Sequence, residues 1–261
     1  ESSAASDVYK RQKPEITPIV SNRDVASPFL TSIQENAVKP IEPVFLDFKK
    51  DMSQLTAKSD IPVLYKQNTT NDLFQLIYVF DMGNNNDKAL GTAFDYLEYL
   101  GTSDMTPEEL KSEFYRLACT FYVSPGNERT YVVLSGLNEN MPAAMQLFEK
   151  LLADAQVNKE AYNNLVGDIL KARADAKLNQ GQNFSRLMNY AMYGPKSPAT
   201  NLLTEAELAS MNPQELVDRI HNQNNYKHRI LYYGPSSSKD LLATIEQYHP
   251  VSYTHLRAHE T

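Results

Sequence analysis

Residues 88–117 constrain this chain more than any other stretch, because they read as two one-sided helices joined by a short turn. At about 100° per residue, Leu90, Ala93, Phe94, Leu97 and Leu100 gather on one face of the first helix. Asp95, Glu98 and Tyr99 gather opposite, since positions three and four apart are neighbours on a helix surface. The second helix opens at Thr106-Pro107-Glu108-Glu109, a capping box with proline at the first helical position, and turns Leu110, Phe114 and Leu117 inward. Such a pair needs a large apolar surface to lie on. A chain of 261 residues, 42% of them hydrophobic, has enough material for one. At this length folding buries roughly 70–75% of the unfolded surface.

The same composition narrows the function classes. A net charge of −7 lacks the basic footprint that phosphate backbones require, so nucleic acid is not an expected partner. The longest apolar run, Leu73 to Phe80 with Gln75 inside it, is far too short to be a membrane span. A single cysteine, Cys119, forbids an intramolecular disulfide.

The two ends read differently from the rest. Residues 1–12 and 252–261 look like non-native, adaptor-derived strings and are set aside from fold reasoning, which places His255 and His259 in a set-aside string. Residues 13–45 are punctuated by Pro14, Pro18, Pro28, Pro40 and Pro43, with a short apolar turn near Phe29–Ile33, and the stretch 13–60 reads as an interdomain connector. The expected domain is 61–251.

Within it, Ile61–Lys66 and Leu73–Met82 are β-branched and aromatic runs, expected to be adjacent strands joined by the polar turn 67–72. Cys119–Val123 and Arg129–Leu137 bracket Ser124-Pro125-Gly126-Asn127-Glu128, a hairpin. Helices are expected from Asn140 to about Leu152, with Met141, Ala144, Met145, Phe148 and Leu151 inward, and from Asn158 to about Leu178, with Ala161, Tyr162, Leu165, Ile169 and Ala172 inward. The Asn-, Gln- and Gly-rich segment 179–201 is expected to be a loop. Two short helices capped by Thr204 and Asn212, a strand over Tyr226–Tyr233 and a helix over Ser236–Tyr248 complete the domain. The fold class is α+β, a two-layer domain with a mainly antiparallel sheet covered by helices.

The spacing of Asp95, Glu98 and Tyr99 carries the chemistry question. It is the i, i+3, i+4 frame by which a helix presents an H-x-x-E-H zinc motif, here with the acid kept and both histidines replaced. Leu97-Glu98-Tyr99-Leu100-Gly101-Thr102, followed by Thr106-Pro107-Glu108-Glu109-Leu110, resembles the signature of the pitrilysin/insulinase-like metallopeptidases. Glu128-Arg129-Thr130-Tyr131 sits where that family has a similar strand after a hairpin. The resemblance runs from about Ile61 to Pro235. It implies a non-catalytic domain with a degenerate motif, since longer members of the family carry four related domains and one zinc site. It further implies that the catalytic half of the same polypeptide is the partner, that peptides are the substrates, and that zinc belongs to that half, with no cofactor held in this segment.

The remaining candidates weigh against a site of their own. The family's third ligand maps by resemblance to the helix 158–178, where the acids are Asp168 and Asp175, with Lys171 and Arg173 beside them. A catalytic zinc needs three protein ligands, and a site of carboxylates alone would suit a harder cation. Asp95 and Glu98 are therefore read as solvated acids. His221 and His228 lack a second ligand at metal spacing and are read as surface or satisfied histidines, and Cys119 as a small buried hydrophobe. Arg186 and Tyr193 share the seven-residue separation of an arginine–tyrosine substrate pair of the family, but 187–192 does not reproduce its context and the match is read as chance. Most of the sixteen tyrosines are expected to pack half-buried, with Tyr96 and Tyr99 as candidates for a peptide-facing wall. The leading alternative to a chamber domain is a stand-alone interaction module of the same fold.

Overall fold

The computed structural model describes residues 25–197 and 200–249. The strings 1–12 and 252–261, and the connector upstream of residue 25, lie outside the described residues. The chain divides into two units, 1–46 and 47–261. In the first, helix α1 (Pro28–Gln34) is capped by the Ser27 hydroxyl, which accepts the Leu30 N–H at 3.2 Å, and it has no buried residue.

The second unit begins with the single turn α2 (Phe48–Asp51) and the strands β1 (Ser53–Ala57), β2 (Ile61–Gln67) and β3 (Leu73–Phe80). Strand β1 falls inside the stretch read as connector, and it pairs antiparallel with β2 from Ser53↔Tyr65 to Ala57↔Ile61. Helices α3 (Leu90–Leu97) and α4 (Pro107–Arg116) are the two predicted from residues 88–117. The hairpin β4 (Cys119–Pro125) and β5 (Thr130–Leu137) follows, then helices α5 (Met141–Asp154), α6 (Lys159–Leu178) and α7 (Gln180–Tyr193). Short helices α8 (Glu205–Ser210) and α9 (Pro213–His221), strand β6 (His228–Gly234) and helix α10 (Ser238–Tyr248) close it.

The strands form one mixed sheet in the order β1-β2-β6-β3-β5-β4. The β2–β6 pair is parallel and the other pairs are antiparallel. Strands β2 and β3 are thus not neighbours, contrary to the reading of a hairpin, because β6 lies between them. Asn68 explains how the short link can span a strand. Its N–H donates to the Gly234 carbonyl at 2.8 Å, and its side chain bonds Asn71 Oδ1 at 2.7 Å and the Leu73 carbonyl at 3.1 Å, so the link is built onto the end of β6.

One sheet face meets the helices. Tyr65, Tyr232, Leu76 and Leu134 run across it in register, with Tyr65 and Tyr232 stacked at 5.8 Å, and each of the four is buried. Helix α5 packs against β4 and β5, α10 against α5 and β1, and α9 against α3. All five apolar residues predicted on α3 and its C-terminal extension are 0–2% exposed. The turn after α3 is held by backbone proximity: a Cβ at Gly101 would lie 2.3 Å from the Met105 carbonyl, so only glycine fits. The capping box is present, with Thr106 N–H on Glu109 Oε2 at 2.8 Å.

Two readings need correction. The segment 179–201 is not a loop throughout, because α7 occupies Gln180–Tyr193. Asn179 caps it, accepting the Gln182 N–H at 3.0 Å, and Gly194 ends it at φ +61°. No residue of α7 is buried, although Phe184, Leu187, Met188, Ala191 and Met192 stand at helical spacing, and it is the Asn, Gln and Gly content that makes the segment read as a loop. Ala172 of α6 is exposed, and the inward stripe resumes only at Ala176.

Candidate functional site

The acid-bearing face of α3 is where an inverted zinc motif would sit. Asp95, Glu98 and Tyr99 are all exposed, as their spacing predicts, but α3 ends at Leu97, so Glu98 is its C-cap and Tyr99 lies in the turn beyond it rather than on the helix. Partial burial raises the Asp95 carboxyl above its ordinary value, and the like charge of Glu98 adds to the shift. Tyr96 does the opposite of what a peptide-facing wall needs. It is fully buried, its hydroxyl donates to the Asn158 carbonyl at 2.6 Å and accepts the Asn158 N–H at 2.8 Å, and its ring meets Tyr162 edge-on at 5.8 Å. It pins α3 to the start of α6.

Asp95 opens into a cleft of about 510 Å³ shared with Lys88, Arg173, Gln182 and Arg186. Lys88 is bonded to Glu207 at 2.5 Å, and Arg173 donates to the Leu203 carbonyl at 2.7 Å. Lys88 and the Thr204 cap together lower Glu207 to about 2. Asp168 and Asp175 of α6 are exposed, and among the described residues no group of three or more His, Cys, Asp or Glu side chains is arranged to hold a metal ion. Two carboxylates, a phenol and nearby cations do not make a zinc donor set. Arg186 and Tyr193 share helix α7 but line different spaces, Tyr193 facing a cavity of about 920 Å³ beside Arg129 and the β4–β5 hairpin.

Cys119 is 7% exposed, and burial raises its thiol. His221 Nε2 lies 3.2 Å from the Ala155 carbonyl. His228 is buried and bonded to His249, a residue that no spacing argument had linked to it.

The sequence reading did not separate the two faces of the strands, and the face away from the helices is the extended surface of this unit. Gln54, Leu64, Leu231, Ile77, Val133 and Tyr122 lie in one row across six strands, by direct pairing of each with the next. The flanking rows contain Lys66, Tyr233, Gln75, Ser135 and Thr120 on one side, and Arg229, Val79, Tyr131 and Ser124 on the other, with Val79 and Val133 of this face buried at 3% and 4% exposed. Tyr122 is 52% exposed, Tyr131 40% and Tyr233 45%, so three rings are available for contact. Asp81 pairs with Arg229 at 3.2 Å and with Arg129 at 3.5 Å at one end of this surface. The surface offers aromatic rings with polar tips and amide groups. The period-two alternation of each strand contained that information.

No protein-family model and no curated protein sequence matches the chain. Solved structures do match its fold. The periplasmic protease PqqL from Escherichia coli superposes with a TM-score of 0.66 at 15% identity, over 86% of this chain and 28% of that one. A peptidase M16 inactive domain from Pseudomonas fluorescens gives 0.65 at 15% identity, over 77% of this chain and 52% of that one. The ferredoxin protease FusC, solved in complex with Arabidopsis ferredoxin, gives 0.65 at 14% identity, over 84% and 26%. The fold is that of M16 peptidase domains, and the chain spans about a quarter to a half of the length of these structures.

Proposed function

We propose that this chain is a non-catalytic domain of a pitrilysin/insulinase-like zinc peptidase, and that it helps enclose peptide in a chamber completed by the catalytic half of the same polypeptide. The observation that carries the reading is the pairing of an open, tyrosine-bearing sheet face with a motif helix whose ligand positions hold Asp95 and Tyr99. The first supplies a wall for peptide. The second removes the imidazoles on which an inverted zinc site depends. The zinc and the proton-transferring glutamate would belong to the catalytic half, and this chain's own groups would bind and confine.

The test is association. Mixed at tens of micromolar, the folded chain and the folded catalytic half of its parent are expected to sediment together, across an interface of roughly 600–1,500 Å². The chain alone is expected to bind no stoichiometric zinc and to show no chelator-sensitive peptide hydrolysis. Two folded halves that sediment separately would overturn the chamber reading and leave the stand-alone interaction module. One zinc per chain, lost together with hydrolysis in Glu98→Gln, would overturn the inactive assignment.

A further inference from the structure

Beneath the helix layer runs a line of hydrogen-bonded ionisable groups that the proposed function does not use. Glu149 of α5, His249 at the C-terminal cap of α10 and His228 of β6 are 6%, 5% and 4% exposed. His249 Nδ1 lies 2.5 Å from Glu149 Oε1, and His249 Nε2 lies 2.9 Å from His228 Nε2. His228 Nδ1 lies 2.7 Å from the Tyr226 carbonyl oxygen, and Asn224 donates to Glu149 Oε2 at 2.6 Å.

These contacts count protons. A carbonyl oxygen can only accept, so His228 Nδ1 carries a hydrogen. Between the two Nε2 atoms there must be one proton, because none leaves two lone pairs facing each other and two would oppose two N–H groups. The link from His249 to Glu149 holds one more, on either the ring or the carboxyl. Three protons therefore reside on two imidazoles and one carboxyl. The same groups in an unfolded chain above pH ~6.5 hold two. We infer that Glu149, His249 and His228 form a proton-dependent clasp, which fastens the end of the last helix to the sheet and to α5 through one extra shared proton.

The surroundings keep that proton within the line. Tyr78 of β3 stacks on His249 at 4.6 Å, and burial, aided by the charge of Glu149, keeps its phenol protonated. Phe80 of β3 covers His228 at 4.8 Å. The nearest charged side chains on the packed elements are engaged elsewhere or solvated. Arg229 pairs with Asp81 on the far sheet face at 3.2 Å, Lys150 of α5 with Asp104 at 2.5 Å, and Glu246 of α10 with Lys58 at 2.8 Å. Lys227 is exposed, and His221 of α9 meets the Ala155 carbonyl.

The sign of the linkage follows from the count. Above the ordinary histidine value the folded state holds one proton more than the unfolded one, so unfolding releases a proton and the folding constant falls tenfold per pH unit. Below that value both unfolded imidazoles are charged, unfolding takes up a proton, and stability falls again as the pH drops.

Three measurements on the folded full chain decide the matter. Denaturant unfolding between about pH 7.5 and 9 should show the folding constant falling more steeply in the wild type than in His249→Asn, by close to one proton, a tenfold difference per pH unit. Amide exchange at the end of α10 should accelerate over the same range in the wild type. Nitrogen-15 spectra of labelled histidines in the wild type, which need no variant to fold, should show protonated Nδ1 on His228 and one proton shared between the two Nε2 atoms, with both rings changing in a common step. Equal slopes in wild type and variant, or two rings titrating independently, would overturn the clasp.

Discussion

Tyr96 near the end of α3 and Tyr99 in the turn just beyond it lie three residues apart and have opposite fates. Tyr99 is 44% exposed, whereas Tyr96 is 0% exposed and closes a pair of hydrogen bonds on Asn158. Tyr96→Phe is therefore expected to cost about 1–2 kcal/mol in urea unfolding, since it removes both bonds. Tyr99→Phe should stay within about 0.5 kcal/mol, and so should Glu98→Gln, as for most surface changes. Equal losses at Tyr96 and Tyr99 would refute the inward assignment. Leu97, 1% exposed in the core, sets the upper scale: Leu97→Ala should cost about 2–5 kcal/mol by leaving a cavity. The helical period was enough to place Leu97 inside and Asp95, Glu98 and Tyr99 outside. Tyr96 falls on the flank of the apolar stripe, where the period is silent, and its partner lies 62 residues away in sequence.

Among the elements, α7 and α8 separate what local chemistry specifies from what packing specifies. Helix α8 was legible from its cap, and Thr204 and Glu207 form the reciprocal box that Thr204-Glu205-Ala206-Glu207 suggests. Glu207, held at about 2 by Lys88 and the cap, is a depressed acid. Its stabilising contribution is fully present above the unfolded value of 4.5 and is lost as the pH falls from there through about 2. Removing it by Glu207→Gln should flatten that part of the acid limb of the stability curve, and an unchanged limb would show that the box does not form. In α7 the Asn, Gln and Gly content masks a helical spacing of Phe184, Leu187, Met188, Ala191 and Met192, and the side chains of that stripe are exposed, Phe184 at 62% and Leu187 at 63% among them. Asn179→Ala should remove its N-terminal cap, worth about 0.5–2 kcal/mol. The effect belongs in faster amide exchange within α7 rather than in global unfolding, since no residue of that helix is buried.

For the whole molecule, the strings 1–12 and 252–261 are expected to add nothing to the domain's stability. Deleting both should leave the thermal midpoint within a degree or two, whereas a fall of several degrees, roughly 1–2 kcal/mol or more at this size, would show that they belong to the fold. The α+β class and most of the elements were legible in the chain itself. Each rests on period, capping or side-chain identity, which act over a few residues. Two things were decided only by tertiary structure: the insertion of β6 between β2 and β3, and the meeting of His228 with His249 and Glu149. Strand order depends on which edge offers a free ladder once the helices have covered one face. The histidine pair depends on bringing residues 149, 228 and 249 to one point, and no short-range pattern in a sequence encodes a contact 100 residues long.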